Sequence, residues 1–253
     1  MEAPAGWREL GQETGALLGE LQRKLDAWEK GYLKKGGRIC CAKGCSTCCH
    51  ISVRIPLVEA ITLLPLVTAE AMARVRARAE AEFALALVAN TEDEFVLRHR
   101  EEVGSCPLLD AAGACTVHKL RPGVCRSVLS TMPGRYCDED HLLTLRTERP
   151  AEFGAYLEQL DPRVNDVTAA AGGVLSANHF VRPTRELTRE EAPRVRALMQ
   201  QRFGFLVAGQ LPLMVLAAAD AAVATAALAR DRAGTLAALQ ALPGYHERLA
   251  WIE

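Results

Sequence analysis

The sequence predicts an all-α, predominantly helical fold in which helices surround two cysteine-rich loops that converge on a metal site. Alanine is used heavily, aromatic residues make up only 5% of the chain, and runs of β-branched residues are short; each of these features favours helix. Several segments place apolar residues at steps of three and four, as in amphipathic helices. No regular alternation of strands and helices appears, so a parallel-sheet or barrel fold is not expected.

The composition is that of a soluble globular protein, with 253 residues, 49% hydrophobic residues, 24% charged residues and a formal net charge of −1. This balance gives no sign of a nucleic-acid partner. The segment 1–7 has neither the basic region nor the apolar core of a signal peptide, so we expect a cytoplasmic, reducing environment. The segment 205–229 is apolar, but Pro212 and a central Asp220 favour a buried core helix over a membrane span.

The first third of the chain contains three predicted elements. Apolar residues from Leu10 to Tyr32 form the stripe of an amphipathic helix, which Gly36 and Gly37 end. Residues 51–55 show the only strand-like alternation. Pro56 then opens a short helix over 57–64, and Pro65 ends it.

Two further helices are predicted before the second group of cysteines. Thr68 caps the first, and the arginines and glutamates that mix along 70–82 predict a solvated, salt-bridged face. Thr91 to Glu94 forms a capping box that begins the second, and Gly104 ends it.

The remainder of the chain is also expected to be helical. A helix is predicted around 151–160, and the Gly-bearing stretch 166–183 is left unassigned. The capping box from Thr188 to Glu191 predicts a helix that runs to Phe203. The apolar helix follows, and two shorter helices are expected to complete the chain, the last after Pro243 and Gly244.

The nine cysteines form two blocks, one from Cys40 to Cys49 and one from Cys106 to Cys137. In a reducing compartment clustered thiols usually bind metal or perform redox chemistry. Because adjacent side chains tend to diverge, Cys48 and Cys49 indicate two ions, a multinuclear cluster or two sites that share the loop. The predicted metal ligands are Cys41, Cys45, Cys48, Cys49, Cys106, Cys115, Cys125 and Cys137. Thiolates suit iron–sulfur clusters and zinc, and we favour iron–sulfur slightly.

The charges around the cysteines support a thiolate centre. Three basic residues and no acidic residue lie between positions 38 and 56, and four basic residues against one acidic residue lie between 106 and 137. Such cations offset the negative charge of bound thiolates. Arg121 and Arg126 are expected to lay their planar donors against the sulfurs or a nearby carboxylate. His50 and His118 could replace a sulfur, although a supporting or surface position is favoured.

Three motifs carry a family resemblance. They are Cys41-x3-Cys45-x2-Cys48-Cys49, then Cys106-Pro107-Leu108-Leu109, then Cys115-Thr116-Val117-His118-x2-Arg121-Pro122-x2-Cys125-Arg126. Together they resemble the bacterial CxxCxxCC, or YkgJ-like, cysteine-cluster family. The resemblance implies a zinc- or iron-chelating domain over residues 39–137, on which we expect 1–38 and 138–253 to pack as helical extensions of one compact unit. Cys40 is additional to the pattern, and His118 stands where the family often has tyrosine.

Three functions are consistent with these features. The first is a metal-binding protein with a redox, metal-handling or protein-maturation role, whose partners are metal ions and a client protein. The second is a cluster-dependent enzyme: one branch of the family resembles S-adenosylmethionine-dependent lysine methylases of flagellin, and Cys41, Cys45 and Cys48 have the spacing of a radical S-adenosylmethionine site of the 4Fe–4S type. The third is an interaction domain with structural zinc. The sequence leaves open whether the protein is an enzyme.

Overall fold

The computed structural model describes residue 4 and residues 6–169 and 175–253. Within them lie eleven α-helices and five short strands, so the prediction of a predominantly helical fold is confirmed. The helices are α1 (Trp7–Lys34), α2 (Leu57–Leu63), α3 (Ala69–Val88), α4 (Glu92–Glu102), α5 (Gly123–Ser127), α6 (Glu139–Glu148), α7 (Pro150–Glu158), α8 (Arg182–Phe203), α9 (Leu211–Ala219), α10 (Ala221–Leu228) and α11 (Arg232–Gln240). The strands are β1 (Arg54–Pro56), β2 (Asp166–Ala169), β3 (Leu175–Asn178), β4 (Val207–Gln210) and β5 (Ala250–Ile252).

The main core lies where α2 and α9 pack together, with α1 against α2 and α3 against α9. Every side chain of α2 is buried, and so is α9 from Leu211 to Ala218. Trp7 is fully buried at the start of α1, and its indole N–H donates to the carbonyl oxygen of Ala218 at 2.8 Å. The first helix is therefore fixed to the end of α9.

A small antiparallel sheet lies at the edge of this core, with β4 between β1 and β5. Ile55 lies opposite Gly209, and Ala208 lies opposite Trp251. The sheet ties the segment that follows the first cysteine block to the C-terminal part of the chain. A separate hairpin pairs β2 with β3, so two four-residue strands lie within the unassigned stretch 166–183, and residues 170–174 lie outside the described residues.

The predicted start of α8 is wrong. The helix begins at Arg182, with Pro183 in its first turn, and Thr188 lies inside it with its hydroxyl donating to the carbonyl oxygen of Thr184 at 2.9 Å. Proline suits the first turn of a helix because the N–H that it lacks would have no partner there. Pro183 is therefore a stronger start signal than the apparent capping box.

The apolar segment 205–229 is not one helix, contrary to the prediction. It contains β4, α9 and α10, and Asp220 caps α10 by accepting the N–H groups of Ala222 and Val223 at 2.8 and 3.0 Å. The two helices meet at 81°. Among the described residues no single helix is long and apolar enough to cross a membrane, and only the bent pair α9–α10 passes that test together.

The final predicted helix is also wrong. The residues after Pro243 and Gly244 form β5, which pairs with β4. The strand is only three residues long, which is too short for its periodicity to separate strand from helix, and its pairing with β4 decides the outcome.

Candidate metal centre

The first cysteine block is a tight loop followed by a single 3₁₀ turn over Thr47–His50. The Cys45 N–H donates to the carbonyl oxygen of Ala42 at 3.0 Å, and Gly44 adopts a left-handed φ of 87° that reverses the chain. Glycine takes this conformation without the steric cost that a Cβ would add. The reversal brings the cysteines on either side of the loop back toward each other.

The second cysteine block lies directly against the first. The Cys106 N–H donates to the carbonyl oxygen of Cys49 at 2.7 Å. Asp110 then turns the chain, because its Oδ1 accepts the N–H groups of Ala112 and Ala114 at 2.9 and 2.8 Å. The turn lets Cys115 pair with Leu109 in an isolated β-bridge. The pairing brings Cys115 back beside the segment that carries Cys106.

The last part of the second block closes over the first. The Ser130 N–H donates to the Cys41 Sγ at 3.2 Å, and the 3₁₀ turn Gly134–Cys137 contacts the turn that carries Cys48. A Cβ at Gly134 would lie 3.2 Å from the Cys45 Sγ, which is tighter than an ordinary contact. Gly134 therefore provides the space for the Cys45 thiol.

A buried polar cluster of Arg78, Glu82 and His99 holds the backbone segment that precedes Cys106. Arg78 Nε lies 3.1 Å from Glu82 Oε1, and His99 Nε2 lies 3.0 Å from the same oxygen. Arg78 Nη1 donates to the carbonyl oxygens of the segment 103–105, which leads directly to Cys106. Because Arg78 and Glu82 are only 6% and 2% exposed, the predicted solvated face of α3 is wrong at these positions.

The thiols influence one another electrostatically in two overlapping sets. The pKa of Cys137 is raised to about 12 by burial and further by Cys41, Cys48 and Cys45; we call these four the first thiol group. Burial raises the pKa of Cys125, and Cys106, Cys48 and Cys115 raise it further; we call these four the second thiol group. The pKa of Cys48, which belongs to both groups, is raised chiefly by its hydrogen bond with Cys49 and then by burial. Seven thiols from both blocks are thus close enough to interact, and Cys49 contacts the shared one.

Arg121 faces both thiol groups. Its charge opposes the rise in pKa at four thiols, namely Cys41, Cys48, Cys115 and Cys125. Its Nε is buried and has no hydrogen-bond partner among the described residues. An unsatisfied buried donor costs about 1–3 kcal/mol. A negatively charged acceptor near Arg121 Nε would remove this cost.

Arg126 occupies a different position. It is 1% exposed, and its guanidinium donates to the carbonyl oxygens of Arg121 and Lys119 at 2.8 and 2.9 Å and to the side chain of Gln22. These bonds fix the loop that carries Cys125. Its charge still acts through space on Cys125 and on Glu59.

The remaining candidates lie at the margin of the cluster. The Cys40 thiol donates to the carbonyl oxygen of Thr131 at 3.2 Å. His50 ends the turn that carries Cys48, and it is partly exposed. Burial, followed by the charges of Arg121 and Arg126, lowers the pKa of His118, which favours its neutral form.

The cysteine side chains of the described residues are not arranged as a closed metal site. Within the described part of the chain, no three His, Cys, Asp or Glu side chains are grouped so that they could hold a metal ion. The backbone nevertheless brings the two blocks together. The supporting residues that sequence reasoning missed are Ser130, Gly134 and the Arg78 cluster; only the glycine, in a Pro-Gly pair beside Cys137, left a signal in the sequence.

The comparison with known families agrees with this location. Residues 40–144 match the CxxCxxCC family model, which is described as a "Putative zinc- or iron-chelating domain". No curated protein and no solved structure matches the chain. The matched residues include all eight predicted ligands. The segment 40–144 is therefore similar to the CxxCxxCC domain, a family described by zinc or iron chelation.

Proposed function

We propose that this protein binds metal through thiolates and that an iron–sulfur cluster, rather than zinc, is its native group. The ligands are Cys41, Cys45, Cys48, Cys49, Cys106, Cys115, Cys125 and Cys137. One observation supports this assignment most directly: thiols from both blocks interact around the shared Cys48, and the buried Arg121 Nε beside them lacks an acceptor. Bound thiolates would supply that acceptor.

The surroundings of the thiols fit a negatively charged thiolate centre. The Ser130 N–H already donates to the Cys41 Sγ, as N–H groups do toward metal-bound sulfur. Arg121 adds a positive charge that offsets part of the thiolate charge. A neutral thiol sulfur is only a weak hydrogen-bond acceptor, whereas an ionised thiolate gains from both the N–H group and the positive charge.

The two overlapping thiol groups favour more than one metal. Each group has four sulfurs, Cys48 belongs to both, and Cys49 hydrogen bonds to Cys48. A single tetrahedral zinc ion needs four ligands and leaves the others unused. Iron–sulfur clusters are held by cysteine thiolates and can place several irons together, which suits eight sulfurs of which one is shared between two groups.

An iron–sulfur cluster supplies one-electron transfer, so a redox role is the first choice, with metal handling or maturation of a client protein as related roles. A cluster-dependent enzyme is the second candidate. A cleft of about 600 Å³ lies beside Cys106 and is lined by Arg74, Arg78 and Pro107, and a volume of this size is typical of small-molecule sites. The cleft offers space for a substrate, or for a cofactor such as S-adenosylmethionine, next to the cluster.

Anaerobic purification followed by iron, zinc and acid-labile sulfide analysis tests the assignment. We expect iron and sulfide in comparable amounts and a visible charge-transfer spectrum. Cys48→Ser should lose most of the metal, whereas Cys40→Ser should keep it, because Cys40 bonds to the Thr131 carbonyl oxygen outside the ligand set. Colourless protein with stoichiometric zinc would overturn the choice of iron, and metal-free protein from both anaerobic and zinc-supplemented cultures would overturn the thiolate centre.

Arg121 provides a second test. In Arg121→Gln the metal content should be retained and the reduction potential should fall, because a positive charge beside the cluster is lost. Arg126→Gln should also lower the potential, but it should destabilise the fold as well, since three hydrogen bonds of a buried guanidinium are disturbed. For a zinc centre the Arg121 variant should instead lose zinc to a chelator somewhat faster. An unchanged potential together with unchanged zinc retention would contradict the role of Arg121.

A further inference from the structure

A second cavity lies beside α5, and none of the residues that line it is a cysteine. Its volume is about 370 Å³, and α1, α5, α8 and the junction of β1 with α2 enclose it. One wall is apolar and consists of Leu17, Leu18 and Leu21 from α1 and Val195 from α8. Volumes of about 300–1,000 Å³ with apolar walls and few polar groups are typical of small-molecule sites.

Glu59 is the polar group at the base of this cavity. It is 6% exposed on a helix whose other side chains are apolar or threonine. Its Oε2 accepts the Gly123 N–H at 2.9 Å, and among the described residues its Oε1 has no hydrogen-bond donor. Burial raises the pKa of Glu59 to about 7, although the charge of Arg126 opposes the rise. A buried carboxyl oxygen without a partner needs a hydrogen-bond donor. A cationic donor stabilises it most, because charge-assisted hydrogen bonds are the stronger ones.

The space beside this carboxyl is kept open by Gly123. A Cβ at that position would lie 3.3 Å from Glu59 Oε1 and 3.7 Å from Thr188 Cγ2. Any other residue would therefore fill the part of the cavity that Glu59 faces. Glycine leaves room for a ligand atom there.

Two arginines on α8 supply the opposite charge. Arg185 and Arg189 are four residues apart, so they lie on one face of the helix. Arg185 Nη2 is 3.3 Å from Asp166 Oδ2, but its Nε is buried and lacks a partner. Arg189 is exposed and makes no ion pair within the described part of the chain. The other charged residues of the lining are already paired, in Arg54–Glu92, Arg196–Glu253, Glu191–Lys24 and Glu191–Arg194.

We propose that this cavity binds a small zwitterion with an apolar body, of the class of the free aromatic or branched α-amino acids. The ammonium group is held by Glu59, the carboxylate by Arg185 and Arg189, and the apolar side chain lies against the leucines of α1. The assignment is independent of the metal centre, because none of these residues belongs to the thiol groups.

Calorimetric titration of the full chain with three matched compounds tests the proposal. The probes are L-phenylalanine, 3-phenylpropanoate, which lacks the amine, and 2-phenylethylamine, which lacks the carboxylate. Hydrogen bonds to charged groups contribute about 1.5–3 kcal/mol, so each truncated compound should bind about tenfold or more weakly than phenylalanine. Equal affinities, or tighter binding of either truncated compound, would overturn the zwitterion.

Two variants assign the ends of the ligand. Glu59→Gln keeps the size of the side chain and an acceptor for the Gly123 N–H; it should weaken phenylalanine about tenfold and leave 3-phenylpropanoate unchanged. Arg189→Gln is a surface change that should weaken phenylalanine and 3-phenylpropanoate but not 2-phenylethylamine. Arg76→Gln, an exposed position on α3, is the control. Phenylalanine affinity that is the same in folded wild-type, Glu59→Gln and Arg189→Gln protein would refute the site.

Discussion

Arg78 is the central residue of the buried polar cluster on α3, and its replacement by methionine should destabilise the protein by at least about 3–5 kcal/mol. The change removes the arginine that pairs with Glu82, whose side chain is 2% exposed, and leaves His99 as the remaining partner of that carboxylate. Removing one member of a buried ion pair costs about 3–5 kcal/mol. It also deprives three backbone carbonyl groups of their shared donor. These carbonyls precede Cys106, so the variant should also retain less metal.

Urea unfolding followed by circular dichroism, with metal analysis of the same samples, measures both effects. The stability and metal content of Arg78→Lys should lie between those of wild type and Arg78→Met, because lysine keeps the charge but lacks the planar set of donors. Arg76→Met on the same helix is the control; its side chain is exposed, and it should change stability by less than about 0.5 kcal/mol.

A double-mutant cycle separates charge from packing. Arg78→Met combined with Glu82→Leu removes both charges, so the double variant should be more stable than the sum of the single changes predicts, by about 1–3 kcal/mol. Strict additivity would refute the paired-charge argument, and so would an Arg78→Met protein within about 1 kcal/mol of wild type.

Three further predictions concern other parts of the molecule. Burial lowers the pKa of His179 to about 4, below the value of about 6.5 in an unfolded chain, so the unfolded state binds the proton first as pH falls. The free energy of unfolding should therefore fall between about pH 6.5 and 4. In urea titrations, wild type should lose about 2 kcal/mol more of it than His179→Gln between pH 7 and 5. Parallel pH profiles of the two proteins would contradict this. Gly134→Ala should speed the loss of metal to a chelator, because the new Cβ crowds the Cys45 Sγ, whereas Gly154→Ala, with open space around it, should not. Asp220→Ala should lower the free energy of unfolding by about 1 kcal/mol through loss of the α10 cap, and an unchanged urea midpoint would show that the cap contributes nothing.

Much of the fold can be predicted from local signals. Thr68 and Thr91 accept backbone N–H groups at the starts of α3 and α4 as their caps predict. Asp220 illustrates what local signals miss, since an acidic residue inside an apolar run proved to be a helix cap rather than an isolated polar residue in a core helix. Whether it caps depends on how α9 packs against α2, which is a long-range property.

The candidate site, like the fold, can be predicted from the sequence only in part. The cysteines that can serve as ligands can be chosen from their spacing, because chelation requires short separations on loops. The groups that support them come from distant positions: Ser130 lies 89 residues from Cys41, and Arg78 lies on a helix whose charge pattern resembles an exposed one. Their roles follow from tertiary packing, which leaves no periodic or motif signal.

The pairing of β1 with β4 and the packing of α2 against α9 make the CxxCxxCC segment dependent on residues far outside it. If residues 40–144 were produced as a separate fragment, all seven side chains of α2 would lose the cover that α1 and α9 provide. Leu57, Val58, Ile61 and Leu63 alone would forfeit on the order of 6–12 kcal/mol of burial, which is comparable with the whole stability of a domain. During synthesis the cysteines are complete some seventy residues before α9 is made. Metal can therefore meet the thiols while the chain around them is still unfolded, and the finished fold would then close over a centre that is already loaded.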